Sequence, residues 1–330
     1  MRSFLFLLFK IFKRIENQFY KQVRNLLLRH RASTGTANKV PKTNSWYLNM
    51  AVCRRNIFDG LYKKLKPDGI VWLNVDNMKM YIDTDDMSFG YALLMEGAWE
   101  RYKTDLFKTM VKEGMIVADV GANVGYYSLI AANLVGKSGV VYAFEPEPNN
   151  YALFSRNVQV NNCANIIAVQ KAVSDRAGQA TLWFEKEQKV NPSFSSENAM
   201  VSSRYKGLDK AECTTVDTIS LDGFFESQVG NYKVDFIKVD TEGAEGLMVD
   251  GADKILRGNR NLKIILEFWP DGLTRLGTNP QNLLRKLEDY NFRIKRIDDK
   301  NQKTEQIGIV ELCNSIEAGG GVDLLFEKNP

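Results

Sequence analysis

A doubly wound α/β domain over roughly residues 112–330 is the fold this sequence predicts, on two observations. Predominantly apolar runs of strand length alternate with helical stretches, as a parallel sheet covered on both faces requires. Composition permits such a core. With 330 residues, 44% hydrophobic and 25% charged, the chain is too apolar for disorder and too poor in cysteine for a disulfide scaffold.

The chain opens differently. Residues 1–31 carry eight Lys or Arg and one Glu, a net +7, whereas the remainder carries −3. The apolar run Phe4–Phe9 is far short of the about 20 residues a spanning helix needs, and no small-residue cleavage site follows it. Phe4, Leu8, Ile11, Ile15, Phe19, Val23 and Leu26 recur at three- and four-residue spacing, with Lys10, Lys13, Arg14, Lys21 and Arg24 between them. That is a basic amphipathic helix, suited to an anionic membrane surface or a partner groove, the alternative being a helix packed on its own body. Residues 32–45, rich in Ser, Thr and Asn, read as a linker.

Residues 46–111 hold an N-terminal hairpin and helices. Val71–Val75 and Met78–Ile82 flank Asp76-Asn77, and Ser88–Met95 and Trp99–Val111 have helical character. The strands expected next are Ile116–Val120, Val140–Glu145, Ile166–Val173, Val234–Asp240 and Leu262–Phe268. After a helix near Asn282–Tyr290 come strands at Phe292–Ile297, Ile307–Leu312 and Val322–Glu327, where an antiparallel pair fits. Between Glu185 and Glu212 a long polar stretch centred on Asn191–Ser196 reads as a lid, a binding loop or disorder.

The chemistry starts at the first strand and turn, Val117-Ala-Asp119-Val-Gly121-Ala-Asn123-Val-Gly125. Glycines at a strand-to-helix turn let a ligand approach the backbone, and the helix N-terminus offers free N–H groups. Asn123 stands where a dinucleotide fingerprint needs its second Gly, which argues against a nicotinamide-dependent oxidoreductase. Glu145 ends the second strand, where a carboxylate accepts from both ribose hydroxyls. Later come Lys238, Asp240, Glu242 and Glu245, then Glu267. Strand period puts Phe236, Lys238 and Asp240 on one face and Ile237 and Val239 on the other. A buried Lys238 needs a partner, and Asp240 is the nearest. Glu245 reads as a cap of the following helix. Trp269-Pro270 reads as core in preference to a wall against a sugar ring.

Asp119-Val-Gly-Ala-Asn-Val-Gly125, Ala143-Phe-Glu-Pro-Glu-Pro148, Phe236-Ile-Lys-Val-Asp-Thr-Glu-Gly-Ala-Glu245 and Ile264-Ile-Leu-Glu-Phe268 together resemble the FkbM-type S-adenosylmethionine-dependent methyltransferases, over about residues 95–328. The resemblance implies a class I (Rossmann-like) methyltransferase fold, seven strands with the last antiparallel, and an oxygen nucleophile on a sugar, glycan or natural product. It also implies that Asp119, Gly121, Asn123 and Gly125 border the methionine and ribose of S-adenosylmethionine, that Glu145 binds the ribose, and that Lys171-Ala172-Val173 flanks the adenine. Glu100 would reach the methionine end, the plain alternative being a charge on a helix surface.

A hydroxyl is a poor nucleophile, so a base should take its proton. With His30 the only imidazole, Asp240, Glu242, Glu267 and Lys238 are the residues available. The three carboxylates could instead hold a hard divalent cation; the metal-free base ranks first. The acidic body and the lack of an N-P-P-Y or D-P-P-Y tetrapeptide argue against a nucleic-acid substrate. A membrane-surface scaffold with a silent methyltransferase fold is the non-enzymatic alternative. Cys53, Cys163, Cys213 and Cys313 form no C-x-x-C pair, consistent with a reducing, cytoplasmic setting, peripheral at the inner face of the membrane where the N-terminal helix engages it.

Overall fold

The computed structural model describes Ile11 and residues 59–185, 192–195 and 211–328. The amphipathic helix, apart from Ile11, and the linker expected at the N-terminus lie outside the described residues, as does most of the polar stretch 186–210. The chain divides into two units, Met1–Val71 and Trp72–Pro330. In the first, residues 59–65 form a helical segment.

Strands β1 (Ile70–Val75) and β2 (Met78–Asp83) make a two-stranded sheet. Asp76 and Asn77 between them both have positive φ, 50° and 65°, as a tight hairpin turn with right-handed twist demands. The outer edge of β2 is bound by two asparagine side chains one helical turn apart. Asn157 accepts from the Tyr81 N–H at 2.7 Å and donates to its carbonyl at 3.0 Å, while Asn161 does the same for Lys79 at 2.9 and 2.7 Å. Asn157 also donates to the Val124 carbonyl at 2.9 Å.

After helices Phe89–Glu96 and Arg101–Met110 come β3 (Ile116–Val120), β4 (Val140–Phe144) and β5 (Ile166–Val169). A second sheet follows, from β6 (Ala172–Val173), β7 (Gly178–Glu185) and β8 (Ala211–Ile219). Then come β9 (Phe236–Val239), β10 (Lys263–Phe268), β11 (Phe292–Asp298), β12 (Lys303–Gln306) and β13 (Val322–Lys328). The main sheet has the order β12-β11-β13-β10-β9-β3-β4-β5. Strands β5, β4, β3, β9 and β10 are parallel, and β13 runs antiparallel between β10 and β11. This is the class I methyltransferase arrangement, with the seven expected strands and an eighth, β12, added at the edge.

The sheet has two chemically different faces. Ile237 and Val239 of β9 join Ala118, Val120, Ile264 and Leu266 in the main core, under Met248, Ile255 and Leu284 from the flanking helices. The opposite face receives helix Arg101–Met110, whose Phe107 meets Phe236 edge-on at 5.1 Å. On that second face alternation places Asp119 opposite Lys238 and Glu267 opposite Asp323. A polar stripe therefore crosses an otherwise apolar buried surface.

Three local expectations are corrected. Ile166–Val173 is not one strand: it ends at Val169, and Ala172-Val173 leaves to pair with Thr218-Ile219 in the second sheet. Ile307–Leu312 is not a strand: Ile309–Ser315 is a helix with Gly308 at its N-cap, since Ile309, Leu312, Cys313 and Ile316 also fit helical spacing and face the core. The stretch 185–212 connects a β7–β8 hairpin whose strands, paired from Gly178↔Thr218 to Glu185↔Ala211, were not expected.

Candidate active site

A cavity of about 280 Å³ opens at the carboxyl ends of β3, β4 and β9, where the strand order reverses direction. Its floor is the turn after β3. Gly121 has φ +80°, and a Cβ there would sit 1.9 Å from the Asp240 carbonyl oxygen. The side chain is absent because the turn after β9 passes against it, a tighter limit than the ligand approach expected from sequence. Gly125 is likewise fixed by packing: its φ is +90°, a Cβ would meet the Phe154 ring at 2.2 Å, and it does not line the cavity. Asn123, at φ +53°, lines the cavity and turns its N–H toward Glu145.

Glu145, 2% exposed, is anchored by backbone: one oxygen accepts from the Asn123 N–H at 2.8 Å, the other from the Glu147 N–H at 2.9 Å. Burial outweighs those bonds and pushes its carboxyl up to about 7. Glu147 caps helix Pro148–Val160 by accepting from Asn150 N–H. Pro146, Ala172, Val173, Leu182 and Phe194 give this end apolar walls. Lys171 points elsewhere and pairs with Asp217 at 3.6 Å.

Asp119, expected beside the cofactor, does not itself line the cavity. It is 1% exposed beneath the turn, accepts from Ser128 Oγ at 2.6 Å and lies 4.0 Å from Lys238 Nζ. Burial raises its carboxyl despite that lysine. Lys238 also donates to Asp240 at 3.2 Å and to the Gly121 carbonyl at 3.4 Å. Burial alone would lower Lys238, but Asp240 and Asp119 hold it above its ordinary value. Lys238 lines the cavity as a cation held between these carboxylates.

Asp240, Glu242 and Glu267 do converge. One carboxylate oxygen of each lies within 4.8 Å of the others. Burial works against ionisation of Asp240, but Lys238 and Lys103 hold its carboxyl below the usual range. Glu242 and Glu267 go the other way, driven well upward by burial and then by each other's neighbours: Asp240 and Glu245 for Glu242, Glu242 and Asp240 for Glu267. Glu242 stands on the turn after β9 with a left-handed φ of +52°. Glu245 does not join this group. It is buried and accepts from Thr241 N–H and Oγ1, both at 2.9 Å, and from Gly243 N–H, so it locks that turn.

Glu100 lines the cavity and is no surface charge. It pairs with Lys103 at 2.6 Å and accepts from Tyr127 Oη at 3.1 Å. Lys103 was missed from sequence. It is 3% exposed, bridges Glu100 to Asp323 at 2.8 Å, and the two carboxylates overcome burial to keep it firmly charged. The i, i+3 spacing of Glu100 and Lys103 was the one available signal. Ser193 was also missed as an individual residue. With Pro192 and Phe194 it lines the cavity, inside the polar stretch that the sequence offers as a lid. Trp269 is core, under Arg275 at 5.3 Å, and does not line the cavity.

A family model described as the methyltransferase FkbM domain matches residues 119–294. Among curated relatives, Methyltransferase sdnD of Sordaria araneosa is 27% identical over 251 residues, covering 67% of this chain and 92% of that one. Methyltransferase 1 of Beauveria bassiana is 25% identical over 147 residues, 42% of this chain, which spans 58% of that relative's length. Among solved structures, an rRNA methylase from Streptococcus thermophilus aligns at a TM-score of 0.40 and 10% identity, over 69% of this chain and 95% of that one.

Proposed function

This chain belongs to the FkbM methyltransferase family and is an S-adenosylmethionine-dependent methyltransferase, and on that premise we propose that it methylates oxygen, at a hydroxyl of a sugar, glycan or natural-product acceptor. The observation that supports this most is the convergence of Asp240, Glu242 and Glu267 at one end of the cavity.

The residues fit the cofactor. Glu145, held from behind by two backbone N–H groups, keeps lone pairs for the ribose hydroxyls. Pro146, Ala172, Val173 and Leu182 offer apolar walls to the adenine. Glu100 and the Gly121–Asn123 turn line the same cavity, and this reading assigns the methionine end to them. Bound there, S-adenosylmethionine supplies a methyl carbon activated by a sulfonium.

The chain's own part is to hold an acceptor oxygen in line with that carbon and to take its proton. Asp240, kept anionic by Lys238, lies beside Glu242 and raises that residue's affinity for the hydroxyl's one proton. Glu242 in its ionised form is the base: it accepts that proton and becomes the carboxylic acid, the form that burial and the neighbouring Asp240 favour. Glu242→Gln should leave cofactor affinity intact and cut turnover by roughly 10²–10⁴-fold. A silent scaffold would bind the cofactor and transfer nothing, even as wild type.

A second reading rests on the same three oxygens. Their spacing within 4.8 Å suits ligands of one hard cation, each at about 2.0–2.6 Å from it. A divalent ion there would ionise Glu242 and Glu267 and orient the hydroxyl directly. Activity lost in EDTA and restored by Mg²⁺ or Mn²⁺ selects this reading; indifference to EDTA selects the metal-free base.

Among the described residues no helix is long and apolar enough to cross a membrane. The +7 charge and apolar stripe of residues 1–31 support peripheral docking on an anionic cytoplasmic surface, with an acceptor presented there.

A further inference from the structure

Ser193 is a hydroxyl residue with 0% exposure, and all its polar atoms are engaged. Its N–H and carbonyl exchange main-chain bonds with Trp183 at 2.9 and 2.7 Å, a one-residue antiparallel bridge to β7. Its Oγ donates to the Glu242 carbonyl at 2.8 Å. Phe194 beside it packs on Ala172, Leu182 and Val216. Residues 192–194 thus span the cavity from the Leu182 wall to the turn after β9.

That turn is unusual in needing support from both sides. Glu242 is a non-glycine residue at φ +52°, a conformation that persists only where the surroundings over-determine it. Glu245 secures the turn through Thr241 and Gly243, on either side of Glu242. The Glu242 carbonyl itself is held by Ser193. A carboxylate two bonds beyond its Cβ amplifies any rotation of this backbone, and displacement of a reacting group by about 1 Å costs up to roughly 100-fold in rate.

We infer that Ser193 is a positioning residue for methyl transfer: its hydrogen bond to the Glu242 carbonyl fixes the left-handed turn that presents the Glu242 carboxylate to the acceptor hydroxyl. The inference rests on Glu242 as the base. It also assigns a purpose to residues 192–194 beyond covering the cavity.

Ser193→Ala removes only Oγ and leaves both bonds to Trp183 possible. The test uses the full chain, S-adenosylmethionine tritiated in its methyl group, and a deproteinised metabolite and glycan extract as acceptor. Turnover at saturating cofactor should fall about 10–100-fold. The dissociation constant for S-adenosylmethionine, read by calorimetry, should stay within about twofold. Ser193→Thr, which keeps the donor, should recover most of the turnover. Unchanged turnover in Ser193→Ala overturns the inference, and so does a loss of cofactor binding in parallel with turnover, which would mark a merely structural residue. Glu242→Gln run alongside keeps the two ideas apart. Turnover that survives Glu242→Gln ends the base assignment, whereas full turnover in Ser193→Ala with none in Glu242→Gln ends only the role of Ser193.

Discussion

Glu100, which lines the cavity, and Lys103 behind it meet at 2.6 Å at the start of helix Arg101–Met110, where Glu100 is the N-cap. The lysine reaches on to Asp323, so it neutralises acids from two distant parts of the chain. Lys103→Met should destabilise the fold by about 3 kcal/mol, because it leaves two part-buried carboxylates without their cation. Urea unfolding would measure this. A loss below about 0.5 kcal/mol would show that the pair merely tolerates burial.

Glu145 predicts a pH dependence. Its folded carboxyl sits at about 7 against an ordinary 4.5, so the ligand-free protein holds a proton that the unfolded chain has released. The contribution to stability is therefore greatest below about 4.5 and declines as pH rises to about 7. Ribose hydroxyls favour the ionised form, so cofactor affinity should climb toward pH 7, up to about tenfold per unit, and then level off. Glu145→Gln should flatten both profiles and weaken binding by roughly 1.5–3 kcal/mol. Calorimetry across pH 5–9 checks the pair of effects, and an unaltered profile in Glu145→Gln removes this residue from the site.

Gly121 and Gly230 make a matched comparison. Both have left-handed φ, +80° and +77°, but a Cβ at Gly230 meets nothing within 4 Å. Gly230→Ala should cost about 1–2 kcal/mol, the conformational penalty alone. Gly121→Ala must also push back the Asp240 carbonyl, so it should lose clearly more stability and weaken S-adenosylmethionine binding. Equal melting temperatures for the two variants would contradict the close approach.

The N-terminal charge predicts salt-sensitive binding to anionic vesicles and little to neutral ones, since each basic residue contributes about 1 kcal/mol near such a surface. Removing residues 1–31 should abolish sedimentation with vesicles while leaving methyl transfer to a soluble acceptor intact. Sedimentation that persists after truncation would place the affinity elsewhere on the molecule.

The central strands were legible in the sequence because each is a predominantly apolar run of strand length: Ile116–Val120 matches residue for residue, and Leu262–Phe268 is off by one. Glu145, Asp240, Glu242 and Glu267, singled out from motif and strand position, and Glu100, singled out through the family resemblance, all line the cavity. What escaped was non-local. Lys103 and Asp323 are 220 positions apart, and nothing in either neighbourhood announces the other. Strand β8, Ala-Glu-Cys-Thr-Thr-Val-Asp-Thr-Ile, is too polar to stand out until β7 is beside it. Asp119 and Gly125 carry the motif yet sit behind the cavity wall, because pattern shows which residues are constrained and not whether a ligand or a neighbouring strand constrains them.

The two asparagines along β2 bear on where the enzyme can be cut. Asn157 has no exposure, and its amide is spent on Tyr81 and on Val124, a residue of the cavity turn. A fragment begun at residue 112, where the α/β alternation starts, would strip Tyr81 away and strand a buried amide beside that turn. A chain begun ahead of the hairpin should therefore melt higher than one begun at residue 112, although the family model itself starts only at residue 119.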